Sequence, residues 1–271
     1  MAALVAYEMQ RRGLGQPGIE AQKVFSEVEP IVELALRRAQ LSDEAVLGLT
    51  GELLLLDELL AAMEDRPEGR SAILDAWRGH QRAARDFTLG CHAIEVKTTT
   101  FLSSIHHING LAQIEPQTAA QSEAALLLFS VGLTKAENGP FSVAKLVERI
   151  LGKLAGSVPE GVSSPLQLLF LEKVRGYGGE QGEGYDHATM RGFPGYQQTF
   201  TTTFEPRLYD ACDPAFKVLR SAHLEGTFVS HEEISFKIVL PERIHDLNPR
   251  PNWRTEARQL ARQLAPGDGA P

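Results

Sequence analysis

Asp86, Glu95 and Lys97 are two acids and a lysine inside DFTLGCHAIEVKTTT (86–100), a stretch otherwise built of apolar and β-branched residues. Gly90-Cys91 reads as the two-residue turn of a tight hairpin. That turn pairs Leu89 with His92, Thr88 with Ala93, Phe87 with Ile94 and Asp86 with Glu95. Directly opposed residues share a face of the sheet, and so do alternate residues along one strand. Asp86, Glu95 and Lys97 therefore converge on one patch, with Phe87, Ile94 and Val96 packed behind it. Opposed carboxylates repel each other unless a cation lies between them. Lys97 is one candidate for that cation and a divalent metal is another. Carboxylate oxygens suit Mg²⁺ or Mn²⁺ rather than zinc. A metal of that kind polarises a phosphoryl oxygen, and a lysine beside it positions or helps deprotonate a water: the chemistry of phosphodiester hydrolysis. The plain alternative is a solvated strand face carrying three ordinary charges, because D-x₈-E-x-K is short enough to arise by chance.

Helical spacing over 19–39 sets Val24, Val28, Val32 and Leu36 on one stripe, with Pro30 as a kink or a start within it. Ser42 caps a second helix running to about Ala62, and 69–78 predicts a third. From 86 the period becomes two. Strands are expected at 86–89, 92–99, 102–108 and 124–133, the last nearly continuous in apolar residues and so covered on both faces. Helices are expected at 141–154 and 164–175. The glycines of 176–195 do not stand between a strand and a helix start, so that segment reads as a mobile loop rather than a phosphate cradle. Alternation over 196–240 predicts a small antiparallel extension, and the tail beyond 263 is expected to fray. The segments are thus an N-terminal helical part (1–41), a core (42–175), the glycine-rich loop (176–195) and a C-terminal extension with tail (196–271). The class is α/β or α+β.

The chain has 271 residues, 43% of them hydrophobic and 23% charged, enough for a substantial core in one domain or two. No apolar run approaches the roughly 20 residues that span a bilayer, and MAALVAYEMQRRGLG lacks the pattern of a secretory signal. Cys91 and Cys212 belong to no metal-type cluster, and so few cysteines fit a reducing cytoplasm. A net charge of -8 argues against indiscriminate nucleic-acid binding, while leaving room for a local basic groove, a metal or a basic partner.

Asp86 with Glu95-Val96-Lys97 resembles the D…(D/E)-x-K signature of the PD-(D/E)XK, restriction-endonuclease-like superfamily. GLTGELLLLDELL (48–60), DAWRGHQRAARDF (75–87) and AIEVKTTT (93–100) are similar to a bacterial family of PD-(D/E)XK proteins associated with restriction or phage-defence systems, the likeness covering about 45–110. The resemblance implies a helix, a three-stranded antiparallel meander, a helix and a fourth strand, the core of a central mixed sheet flanked by helices. It implies that Asp86 and Glu95 carry metal, that Lys97 is the catalytic lysine and that Glu52 on the preceding helix helps hold the metal. It further implies DNA as substrate and partner proteins such as an ATPase or a methyltransferase, with more sequence before the first helix in the relatives. Arg85 stands where the motif has proline. A non-catalytic binding subunit that kept the fold is the rival reading, and RNA the rival substrate.

Other residues carry two readings each. Glu52 borders the stripe of Leu53, Leu56 and Leu60 and could mark only the solvent boundary. Trp77 is a core residue or a base-stacking platform. His106 and His107 are adjacent on a strand, so only one can face the patch; it contacts phosphate or is structural. Ser103 and Ser104 are comparable phosphate contacts. Gln113 lines the site, as a polar residue does in many relatives, or merely starts a helix. Arg254, Arg258 and Arg262 make a helical stripe, and Lys145, Lys153 and Lys173 lie on later helices; both sets contact a DNA backbone or form solvated faces.

Overall fold

The computed structural model describes residues 2–38, 40–81, 83–117, 123–156, 159, 161–178, 184–230 and 234–264. Its helices are α1 (Ala2–Arg11), α2 (Ala21–Arg38), α3 (Asp43–Ala61), α4 (Gly69–Ala76), α5 (Val143–Leu154), α6 (Pro165–Gly176), α7 (His187–Met190), α8 (Pro194–Gln197) and α9 (Trp253–Leu264). The strands are β1 (Phe87–Leu89), β2 (His92–Thr99), β3 (Ile105–Asn109), β4 (Ala125–Lys135), β5 (Phe200–Thr202), β6 (Arg207–Asp210) and β7 (Ser235–Val239). Among these helices, none is long and apolar enough to cross a membrane.

Ser42 opens α3 as predicted, its side chain accepting the Ala45 N–H, and Asp43 and Glu44 in the first turn complement the helix dipole. The helix is apolar nearly all round because it is covered nearly all round: β2 lies on one side, α5 and α9 on others. Leu49, Leu53, Leu55, Leu56 and Leu59 are fully buried. Gly51 permits the close approach to β2, since a Cβ there would collide with the Thr98 side chain. Pro30 lies inside α2, where Val24 and Val28 are buried. The side chains of Val32 and Leu36, and the tail from 265, lie outside the described residues.

β1 and β2 pair antiparallel in the predicted register, Phe87 with Ile94, Thr88 with Ala93 and Leu89 with His92. On its other edge β2 pairs with β4, and parallel to it, setting Glu95 beside Leu128 and Lys97 beside Ser130. The three-stranded meander is therefore not formed. With both edges of β2 taken, β3 leaves the sheet and pairs antiparallel with β7 in a separate two-stranded sheet. β4 is buried on both faces over most of its length, as its apolar run predicts. Its far edge receives β5 and β6, both antiparallel, so strands from the C-terminal segment pair with core strands rather than with one another.

One face of the sheet packs on the helices through Ile94, Val96, Leu127 and Phe129; the other packs on β3 and β7 through Ala93, Leu126, Leu128 and Ile108. The glycine-rich segment departs from the expected loop. Residues 179–183 lie outside the described residues, but 187–190 and 194–197 are helical, and Tyr185 and Tyr196 insert fully into the core. Two aromatic side chains provide the anchoring that glycine content conceals.

Candidate active site

Asp86 lies one residue before β1. There Trp77 and Phe87 form an isolated antiparallel bridge, and the Arg78 N–H donates to the Asp86 carbonyl at 2.7 Å. Continued up the hairpin, the ladder would send the Val96 N–H to the carbonyl of residue 85. The Asp86 carboxylate takes that N–H instead, through Oδ2 at 2.7 Å. Its side chain is thereby held against β2 at the level of Glu95 and Lys97. Those two share a face of β2, and the Lys97 Nζ stands 2.8 Å from Glu95 Oε1 with both side chains largely buried. Nζ also donates to Gln113 Oε1 at 2.9 Å, and the same oxygen accepts the Asn109 N–H. Gln113 thus belongs to the site, fixed between the lysine and the end of β3.

Glu52 reaches the site from α3. It is 5% exposed, and both of its oxygens are held: Trp77 Nε1 donates to Oε2 and the Tyr177 hydroxyl to Oε1, each at 2.8 Å. Two glycines make this possible. A Cβ on Gly79 would collide with Glu52 Oε2, and one on Gly48 would crowd the Tyr177 hydroxyl at 2.9 Å. Trp77 is accordingly a core residue, fully buried, whose polar edge serves the site.

All three acids are raised, in each case chiefly by burial. Burial pushes Glu52 up to about 7, against the Trp77 and Tyr177 hydrogen bonds, with Glu95 adding repulsion. Asp86 is held well above the usual carboxylate range by burial, then by Glu52 and Glu95, while the Val96 N–H and Lys97 oppose the shift. Glu95 is raised by burial, with Lys97 and Arg85 opposing. Desolvation lifts Tyr177 far above its ordinary value and Glu52 reinforces it, so Tyr177 is a hydrogen-bond donor at every working pH.

Arg85, in the place of the motif's proline, is buried. Its guanidinium grips Glu123 at 2.8 and 3.0 Å and donates to the carbonyls of Ala84, Ala112 and Glu115. It ties down the segment that carries Gln113. Sequence reasoning missed Tyr177, Arg85 and Glu123. Tyr177 has no local signal, lying 125 residues from Glu52. Arg85 likewise has no local signal, since the residues just before it are exposed and Glu123 lies 38 residues away.

The remaining candidates make no hydrogen bond to Glu52, Asp86, Glu95 or Lys97 among the described residues. His106 is the histidine that faces the main sheet, and it is sealed: Nε2 lies 2.7 Å from Ser130 Oγ, which donates to Ser104 Oγ, a group also approached by Arg207 and Tyr209. Burial lowers His106 to about 4, so it is neutral. His107 and Ser103 are exposed. α9 is helical as predicted, but Arg254 and Arg258 both pair with Glu58, while Arg262 is exposed. Lys145 binds the Gly139 carbonyl, Lys153 binds Asp57, and Lys173 is buried against the carbonyls of Leu74 and Trp77. Lys173 is thus withdrawn from any surface contact.

Among the described residues no group of three or more His, Cys, Asp or Glu side chains forms a ready-made metal cage. The donor chemistry nonetheless fits a hard divalent cation. Asp86 and Glu95 each keep one oxygen with no hydrogen bond among the described residues, while Glu52 adds a third carboxylate and Lys97 a single positive charge. Clustered, desolvated carboxylates with one ammonium between them leave negative charge for a cation to neutralise.

A mixed sheet flanked by helices, carrying an acid at the hairpin end and E-x-K on the next strand, is the PD-(D/E)XK arrangement. A family model described as "Putative PD-(D/E)XK family member (DUF4420)" matches residues 20–175, more than half of the chain, and the chain belongs to that family. Neither a curated protein nor a solved structure gives a significant match.

Proposed function

We propose that this protein is a divalent-metal-dependent nuclease that hydrolyses phosphodiester bonds in DNA. The observation that carries the reading is the Asp86–Glu95–Lys97 constellation, drawn together by the Val96 and Gln113 hydrogen bonds on the face of a buried strand. Mg²⁺ or Mn²⁺ held by Asp86 and Glu95, with Glu52 behind them, would supply a Lewis acid to the phosphoryl oxygen and a more acidic water. The chain's own residues do the rest. Lys97 aims its ammonium at the attacking water and offsets charge gathering on the phosphate. Gln113 keeps that ammonium on one line, and Trp77 and Tyr177 keep the Glu52 carboxylate from swinging away. Phe87, Ile94 and Val96 form the dry floor that strengthens these charges. Partner proteins of a restriction or phage-defence system, an ATPase or a methyltransferase as the sequence resemblance implies, would be the source of sequence selection.

Calorimetry with Mg²⁺ and Mn²⁺, paired with plasmid cleavage, tests this on wild type, Asp86→Asn and Lys97→Ala. Asp86→Asn should abolish metal binding; Lys97→Ala should keep it within about threefold and lose cleavage by roughly 100-fold or more. Metal binding without cleavage of DNA, with RNA cut instead, reassigns the substrate. No metal binding at millimolar concentration, with or without DNA, sinks the reading.

A further inference from the structure

Between Trp77 and Asp86 the chain carries Arg78, His80, Arg82 and Arg85 and no acid, in a protein of net charge -8. Arg82 lies outside the described residues, and Arg85 is spent on Glu123. Arg78 differs from both. Its backbone is fixed beside the site by the 2.7 Å bond from its N–H to the Asp86 carbonyl, yet its side chain is exposed and, among the described residues, makes no ion pair or hydrogen bond. Most arginines here have a carboxylate: Arg12 has Glu27, Arg175 has Asp186, Arg207 has Glu242 and Arg250 has Asp210. Cationic groups lie close to Arg78, beside the Asp86 and Glu52 carboxylates of the site itself. Lys173 donates to the Trp77 carbonyl at 3.3 Å and feels the charges of both Asp75 and Arg78. His80 packs at a tilt against Trp77 with ring centroids 5.8 Å apart, and its enclosed Nδ1 has no hydrogen-bond partner among the described residues. Burial, then the Lys173 and Arg78 charges, lower His80 to about 4.

We propose that Arg78 is a phosphate-binding residue of a DNA interface, taking a backbone phosphate next to the one that lies over Asp86 and Glu95. The assignment rests on the nuclease reading for the identity of the polyanion. A planar guanidinium held rigidly at its backbone and free at its tip suits two-pronged recognition of a phosphate. Such a contact positions the duplex without reading bases.

The test is binding of a labelled 30-base-pair duplex in Ca²⁺, by fluorescence anisotropy across a salt series, with gels to verify that the DNA stays intact. Wild type, Arg78→Ala and Arg78→Lys are compared, each also checked for its melting temperature and for Mg²⁺ binding without DNA. Arg78→Ala should bind about 3- to 10-fold more weakly and lower the slope of log K against log salt by about 0.9, one phosphate's worth. Arg78→Lys should keep the slope, while melting and metal binding stay as in wild type. Equal affinity and slope in wild type and Arg78→Ala overturn the site, as does a wild type that binds no duplex at low salt. If binding depends on Arg78 but plasmid is never cut, the phosphate site stands and the hydrolytic reading fails. If plasmid is cut and Arg78→Ala is unaltered in affinity and slope, the reverse holds.

Discussion

Arg85 and Glu123 form a two-pronged ion pair in which both side chains are under 5% exposed, 38 residues apart in sequence. The pair closes the segment that begins at the β1–β2 hairpin and returns at the start of β4, and this segment carries Gln113 to Lys97. Breaking a buried pair leaves one charge uncompensated, at about 3–5 kcal/mol. Arg85→Met should therefore cost that much in urea unfolding, and adding Glu123→Gln should restore a large part of it. A single variant that unfolds at the wild-type midpoint would show the pair to be idle.

Gln113 acts on Lys97 and not on the acids. Gln113→Ala should reduce cleavage by about tenfold while Mg²⁺ affinity, read by calorimetry, stays within about twofold. Loss of metal binding in that variant would place Gln113 in a different role.

Gly79 lends its missing side chain to Glu52. In Gly79→Ala the new Cβ must displace the Glu52 carboxylate or the Trp77 ring. A loss of about 1–3 kcal/mol in stability is expected, together with weaker metal binding. Gly192→Ala is the control, because a Cβ there meets nothing within 4 Å. Equal melting temperatures for the two variants would contradict the proposed packing.

His106 gives the fold an acid-side sensitivity. Its folded value, about 4, lies below the ordinary 6.5, so between pH 6.5 and 4 the unfolded chain binds a proton that the folded chain refuses. The contribution is complete above 6.5, declines as pH falls through that window and is gone below 4. A gap of that size is worth about 3 kcal/mol. His106→Gln, which can still bond Ser130, should remove this part of the slope, seen as a difference between the two stability–pH curves. Parallel curves would falsify the assignment.

What the sequence determined by itself is governed by short range. A two-residue turn and strict alternation set the β1–β2 register, and with it the meeting of Asp86, Glu95 and Lys97. Ser42 announced α3, and the apolar run of β4 announced burial on both faces. The tertiary structure alone decided the partners that lie far apart. β3 pairs with β7 because β4 had already taken the free edge of β2 in parallel, a choice no local period encodes. Tyr177 reaches Glu52, Arg85 grips Glu123 and Lys173 caps α4, each through a polar atom whose partner is specified only when distant segments are folded against it. Hydrophobic period records which face of an element is buried. It does not record which acid a buried donor will find, since that follows from desolvation and from the few positions that glycines such as Gly48 and Gly79 leave open.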